Sequence, residues 1–216
     1  MVRTRSIFVL KLKAMAGEFL HTIGDVSQIP GLFNGPFLKG RRESRIAMVG
    51  RSNVGKSSLI NALLGGRLAQ VSNQPGKTRC IHLYVWKEVK KIIADLPGYG
   101  FAKTAATERD RWAEFINDYL REDQALERAL VLLDSRHGPT DLDEQAIRFL
   151  AFEKIPVTFV FTKTDSLKTQ SERIKRKKEA LLAIEALGFD PSPDNVFWVS
   201  SKTKDGLKSL VTSLSG

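Results

Sequence analysis

From residue 45 onward the chain alternates short, mostly apolar runs with longer stretches in which apolar residues return every three or four positions. Ile46-Ala47-Met48-Val49 contains no polar residue and ends at Gly50. Ile81 to Trp86 and Ile92 to Leu96 flank a polar turn at 87–91, which predicts a hairpin. Three further runs, at 129–133, 157–161 and 196–199, predict buried strands. Between them, Trp112, Phe115, Ile116 and Tyr119 recur at helical spacing, as do Leu142, Ala146, Phe149 and Leu150, and both stripes are expected in the core. Strands separated by helices imply parallel pairing with right-handed crossovers. The predicted fold is a three-layer α/β domain whose mostly parallel, six-stranded sheet carries one antiparallel edge strand.

Ahead of this pattern, the Gly/Pro-rich stretch 30–40 reads as a loop that separates an N-terminal arm from the main body. The expected division is therefore an arm or extension over 1–43 and one domain over 44–216. Residues 1–17 hold Arg3, Arg5, Lys11 and Lys13 without an acid. The apolar run at 7–10 is too short for a secretory segment, which leaves an extended arm, a first strand or an organellar import signal.

Composition narrows the class. No apolar run approaches the roughly 18 residues of a membrane helix. A lone cysteine, Cys80, has no internal disulfide partner and suits a reducing compartment, so a cytoplasmic protein is expected, bacterial before organellar. His21, His82 and His137 have no metal-ligand spacing. The formal net charge of +10 is concentrated: residues 1–45 carry 8 Lys/Arg against 3 Asp/Glu, and residues 163–178 carry 7 against 2. Clustered cations suit a polyanionic partner, either nucleic acid or an anionic membrane surface, or else form a solvated face with no partner.

The strongest chemical signal is Gly50-Arg51-Ser52-Asn53-Val54-Gly55-Lys56-Ser57, which matches G-x-x-x-x-G-K-[ST] between a strand and a helix expected from Ser58 to Leu64. Its glycines let backbone N–H groups wrap phosphates, and the helix start adds its positive dipole end. Lys56 would reach the β- and γ-phosphates, and the Ser57 hydroxyl would ligate Mg²⁺. Asp95-Leu96-Pro97-Gly98 lies 39 residues beyond that lysine, at the end of another strand. There a carboxylate holds the Mg²⁺ shell through water, and the Gly98 N–H can sense a γ-phosphate.

Base choice falls to Thr162-Lys163-Thr164-Asp165. Its carboxylate can accept from guanine N1–H and the 2-amino group, a donor pair adenine lacks, so ATP would leave Asp165 unpaired. The Lys163 stem would cover the base plane. Thr162 departs from the usual N-K-x-D, but its hydroxyl can still tie this loop to the phosphate loop. Ser200-Ser201-Lys202, after Val199, resembles an S-A-K loop whose backbone N–H meets guanine O6. Four elements in order, each at a strand's C-terminal end, match the edge where ligands of open α/β sheets bind. Between the first two, Pro75-Gly76-Lys77-Thr78 lies in a polar, glycine-bearing segment. Thr78 is preferred over Ser72 as the hydroxyl completing the Mg²⁺ sphere when triphosphate is bound.

With these residues in place, the sequence resembles the EngB (YihA/YsxC) family of ribosome-assembly GTPases, TRAFAC-class proteins on a Ras-like P-loop fold. The resemblance rests on residues 50–62, Pro75 to Thr78, Asp95 to Gly100 and Thr162 to Asp165, and runs over about residues 44–214. Thr162 is typical of that family. Ser44-Arg45 stands where a Pro-Glu pair is common, and the arm 1–43 is longer than usual. The resemblance implies GTP and GDP as ligands, slow intrinsic GTP hydrolysis, and the large ribosomal subunit and its RNA as partners. It also implies a link to normal cell division. A monomer when free and no integral membrane association are expected.

The implied nucleotide-binding set is Gly50, Arg51, Ser52, Asn53, Val54, Gly55, Lys56, Ser57 and Ser58; Gly76, Lys77, Thr78, Arg79 and Cys80; Asp95, Leu96, Pro97 and Gly98; Thr162, Lys163, Thr164 and Asp165; and Val199, Ser200, Ser201 and Lys202. Lys56, Thr78 and Gly98 carry the expected catalytic roles, with Ser57, Thr78 and (through water) Asp95 on Mg²⁺. Ras-type proteins orient the attacking water with a glutamine directly after D-x-x-G. Tyr99 stands there instead, and no general base is identifiable. In related GTPases an Asn at the Asn53 position binds potassium between the phosphates; the alternative is that Asn53 caps the loop. Competing readings are an ATPase or nucleotide kinase, and a basic RNA- or membrane-surface-binding P-loop NTPase of another class.

Overall fold

The computed structural model describes residues 17–35, 38–70, 80–100 and 106–215. In chain order the elements are β1 (Gly17–Ile23), α1 (Ile29–Leu32), β2 (Ser44–Gly50), α2 (Lys56–Leu64), β3 (Ile81–Trp86), β4 (Lys91–Asp95), α3 (Ala106–Glu122), β5 (Leu126–Asp134), α4 (Asp141–Phe152), β6 (Val157–Thr162), α5 (Gln170–Ala186), β7 (Val196–Trp198) and α6 (Leu207–Leu214). One sheet runs β1-β3-β4-β2-β5-β6-β7. The β2–β4, β2–β5, β5–β6 and β6–β7 pairs are parallel, whereas β3 runs antiparallel to both its neighbours.

The apolar runs are unbroken because both faces of the central strands are covered. Along β2, Ala47 and Val49 face the layer built by α1, α3, α4 and α5, where Phe115, Tyr119, Ile147, Leu150 and Ile184 are buried. Ile46 and Met48 face the opposite layer, with Leu59, Leu63, Leu207 and Leu210 of α2 and α6. The two cores are separated by the period-2 alternation of the strands.

Three expectations need correction. The sheet has seven strands rather than six, and the antiparallel strand β3 is internal because β1 covers its edge, from Gly17 opposite Trp86 to Ile23 opposite Ile81. An uncovered β3 would expose a row of unpaired N–H and C=O groups. The close fit is visible at Gly17, where a Cβ would lie 2.7 Å from side-chain atoms of Leu64. From Gly17, then, the expected arm is part of the sheet. Nor is 30–40 a plain loop: α1 occupies its start with proline in the first turn, and Ile29, Leu32 and Leu38 are buried. Residues 1–16 lie outside the described residues.

One helical stripe is also rotated from expectation. On α4, Ile147 and Leu150 enter the core, Ala146 and Phe149 pack against its margin, and Leu142 is exposed. On α5, Ala180 and Ile184 are the buried residues, whereas Ile174 is 61% exposed among cations. The helix meets the sheet only through its second half, so its first turns have no apolar layer to enter. On α3, Phe115 and Tyr119 are buried and Ile116 packs against the core, while the Trp112 side chain lies outside the described residues. No described helix is long and apolar enough to cross a membrane.

Candidate functional site

The strand order reverses at β2, which has β4 on one side and β5 on the other. Beyond the C-terminal ends of β2, β4, β6 and β7 lie the four loops singled out from the sequence. They converge on one edge of the sheet.

The loop after β2 is held open by backbone conformation and by neighbours. Gly55 has φ +107°, which a side chain would strain, and it precedes the first turn of α2. Val54 is buried, and its carbonyl accepts a 2.6 Å hydrogen bond from the Thr162 hydroxyl. That is the tie expected of this threonine. Lys56 is buried, with its ammonium 2.6 Å from Asp95 Oδ1. The two sequence signals 39 residues apart are thus one ion pair. Ser57 and Ser58 stand half-buried in the first turn of α2.

The segment after β4 is stitched to the phosphate loop. Leu96 N–H donates to Met48 O at 3.3 Å, Ser52 N–H donates to Tyr99 O at 2.9 Å, and the Ser52 hydroxyl donates to Gly98 O at 3.3 Å. A Cβ on Gly98 would sit 3.0 Å from the Ser52 nitrogen, a backbone atom that cannot swing aside. Pro97 is buried within this turn. The Tyr99 hydroxyl donates to Asp143 Oδ1 at 2.8 Å. Asp143 is fully buried, and its Oδ2 accepts from Thr140 N–H and Oγ1 at 2.9 and 2.7 Å, with Arg51 Nε 3.1 Å away. Burial, then the Asp143 charge, pushes the Tyr99 phenol far above its ordinary pKa, so it remains a neutral donor.

At the base end, Asp165 Oδ1 accepts from the Ser200 hydroxyl at 2.7 Å. Ser200 is fully buried, and its oxygen also accepts from the N–H groups of Lys202 and Thr203 at 3.2 and 3.0 Å. Thr164 N–H donates to Val199 O at 3.3 Å, joining the two loops. Asp165 is thereby oriented through one oxygen and keeps acceptor capacity for a two-donor edge. Lys163 reaches back, donating to Asn53 O at 2.6 Å and Asp134 Oδ2 at 3.0 Å. Between the two ends opens a cleft of about 810 Å³, lined by Gly55, Ser58, Thr162, Lys163, Asp165, Ser201 and Lys202. That volume suits a ligand of nucleotide size.

The same cleft is lined by Arg67, Ala69 and Gln70, which no motif indicated, and by Asn61, which lies within the 50–62 stretch but was given no role. Asn61 grips the chain on both sides of one residue, accepting from Ala69 N–H and donating to Ala69 O, each at 2.8 Å. Gly76, Lys77, Thr78 and Arg79 lie outside the described residues. Cys80 is half-buried just before β3, whose His82 pairs with Asp95 in the sheet. Among the described residues no group of three His, Cys, Asp or Glu could hold a metal. The oxygen donors present, the Ser57 hydroxyl and the Asp95 carboxylate, suit a hard cation that keeps waters and phosphate ligands rather than an all-protein cage.

Residues 45–163 match the protein family described as 50S ribosome-binding GTPase. The chain is 41% identical over 200 residues to the "Probable GTP-binding protein EngB" of Cytophaga hutchinsonii, covering 92% of this chain and 94% of that one. It is 39% identical over 173 residues to its namesake in Petrotoga mobilis, covering 80% and 85%. Among solved structures, a crystal structure of a probable GTP-binding protein EngB superposes with TM-score 0.60 at 25% identity, over 79% of this chain and 96% of that one. A single-site variant of Aquifex aeolicus Era bound to GDP·AlF4⁻ superposes with TM-score 0.66 at 25% identity, over 80% and 56%.

Proposed function

The chain belongs to the EngB family of GTP-binding GTPases, within the 50S ribosome-binding GTPases, and on that premise we propose that it is a slow GTP-hydrolysing switch in assembly of the large ribosomal subunit. In this reading it works in the bacterial cytoplasm and is linked to normal cell division. One observation supports the nucleotide part: a single cleft is lined both by Gly55 and Ser58, which flank Lys56 in the chain, and by Asp165, whose Oδ1 accepts from Ser200. A triphosphate supplies the negative charge that draws Lys56 from Asp95. Ser57 and Thr78, with Asp95 through water, would hold Mg²⁺, which when bound neutralises charge on the phosphate oxygens. Gly98 N–H would report the γ-phosphate. Its segment is already bonded to Ser52, so displacement there reaches the phosphate loop directly.

Tyr99 has its hydroxyl committed to Asp143, which favours slow intrinsic hydrolysis. Asn53 has φ +63° and an exposed side chain, consistent with a potassium ligand that would supply the charge of an absent arginine finger. The RNA contact is assigned to the cations Arg173, Lys175, Arg176 and Lys178 on α5.

The test is titration of GTP, GDP, ATP and XTP with magnesium, in potassium and in sodium. Wild type should prefer GTP and GDP over ATP by at least about 10³-fold, because a mispaired carboxylate is costly. Asp165→Asn should turn preference towards xanthine, whose C2 carbonyl meets the amide donor. Retained GTP preference in that variant would refute the base assignment. Co-sedimentation with large subunits in the GTP-bound state tests the partner, and equal binding to small and large subunits would refute it.

A further inference from the structure

Asp134 belongs to none of the four sequence signals, yet it is the most heavily engaged carboxylate at the site's edge. It is the last residue of β5 and is buried, with 4% of its surface exposed. Its Oδ1 accepts from Arg136 N–H at 3.1 Å and Arg136 Nε at 2.8 Å. Its Oδ2 accepts from Arg136 Nη2 at 2.6 Å and from Lys163 Nζ at 3.0 Å. The guanidinium fork fixes the plane of the carboxylate, leaving one oxygen aimed at the lysine.

Lys163 has a left-handed backbone, with φ +59° and ψ +33°, which it shares with Lys90, Lys154 and Lys204; what sets it apart is where its tip is held. Its ammonium lies between a neutral P-loop acceptor, Asn53 O at 2.6 Å, and the charged Asp134. The stem between these two fixed ends lines the cleft beside Asp165. A lysine stem has several soft torsions, so without a charged anchor at its tip it would leave this path. The anchor's place is set by the sheet: Asp134 is opposite Thr162 in the β5–β6 ladder, and Ser135 N–H donates to Thr162 O at 3.1 Å.

We propose that Asp134, mounted by Arg136, is a positioning residue of the nucleotide site, which pins the Lys163 ammonium against the Asn53 carbonyl and so locks the stem across the base and the base loop onto the phosphate loop. The inference rests on the reading of Lys163 and Asp165 as the base end of a guanine-nucleotide site. Burial alone would raise the Asp134 carboxyl's pKa. The bonds from Arg136 and Lys163 more than reverse this, holding it well below the ordinary 3.8 and the group charged beneath the lysine. The clamp touches no terminal phosphate, so it acts on GDP and GTP alike.

The experiment measures dissociation rates of fluorescent GDP and of a non-hydrolysable GTP analogue from the full chain, for Asp134→Asn, Lys163→Met and the double variant. Asp134→Asn should speed release of both nucleotides by the same factor, roughly 5- to 10-fold for a charge-assisted bond at a partly exposed site. The double variant should release no faster than Lys163→Met alone, a non-additivity that a general loss of stability would not produce. Unchanged release in Asp134→Asn, or multiplied effects in the double variant, would overturn the proposal. Should Asp134→Asn fail to fold, Arg136→Gln at the half-exposed mount carries the test, and unchanged release there counts against it. Asp165→Asn separates the two readings. If it turns preference to xanthine nucleotides while the Asp134 variants are silent, the clamp fails and the base site stands. If it leaves GTP preference intact, the base site itself is wrong.

Discussion

Replacing Thr162 by valine exchanges one hydroxyl for a methyl of nearly the same size and leaves no cavity. The hydroxyl has one proton, directed mainly at Val54 O 2.6 Å away, with Leu133 O a secondary acceptor at 3.2 Å. Thr162 and Val54 are both buried, so water cannot reach the stranded carbonyl without opening the loop. An unsatisfied buried acceptor costs about 1–3 kcal/mol, and the lower half of that range would apply if Leu133 O alone lost its partner. The shorter bond to Val54 points to about 2 kcal/mol. For a domain of this size that is a fall in unfolding midpoint of about 4–8 °C. Urea unfolding of nucleotide-free protein should show a lower midpoint with unchanged slope, since the surface exposed on unfolding is the same. Thr162→Ser keeps the donor and should retain GDP affinity, whereas Thr162→Val should lose about 10-fold because the phosphate loop is no longer held in its binding shape. A stability change in Thr162→Val below about 0.5 kcal/mol with unaltered GDP affinity would show that the hydroxyl does not join the two loops.

Three other outcomes are expected. Burial holds the His82 imidazole below its ordinary pKa of 6.5, against the pull of Asp95. Its folded form is therefore preferentially neutral, and its contribution to stability is present above pH 6.5 and lost as pH falls through the depressed value. Urea midpoints from pH 7.5 to 5 should decline less steeply in His82→Gln, and parallel curves would refute this. Tyr99→Phe leaves buried Asp143 Oδ1 without its 2.8 Å donor and should cost about 1–3 kcal/mol in urea unfolding; an unchanged midpoint would show that Oδ1 does not depend on it. Replacing Arg173, Lys175, Arg176 and Lys178 by Gln should weaken large-subunit binding without changing GTP affinity, flattening the log–log salt slope by about 0.7–0.9 per lost phosphate contact. Arg176 lies 2.9 Å and Lys175 3.9 Å from Glu179, so Lys178 should contribute more than either as a single replacement; binding equal to wild type at every salt concentration would leave α5 a solvated face.

The phosphate loop, the Asp95 turn and the base loop were legible in the chain because each is a local demand. A glycine at φ +107°, a lysine opening a helix and a carboxylate at a strand's end are set by residues within a few positions of one another. The strands were legible for a similar reason, since burial on both faces leaves a run almost free of polar residues. Other features required the sheet to be assembled. The Lys163–Asp134 bond spans 29 positions and Tyr99–Asp143 spans 44. At such separations neither residue constrains the other's neighbours in sequence, so Asp134 reads as a strand end and Asp143 as an acidic helix start. The N-terminal edge strand was hidden because a strand buried mainly at its far end has no clean alternation. Ile174 carried an apolar signature with nothing to bury it, because the layer beneath α5 begins only at Ala180. Sequence determined which chemistry this chain holds and at which edge; the register of β5 against β6 and the course of α4 and α5 over the sheet decided which side chains clamp it, since these depend on neighbours only tertiary packing supplies.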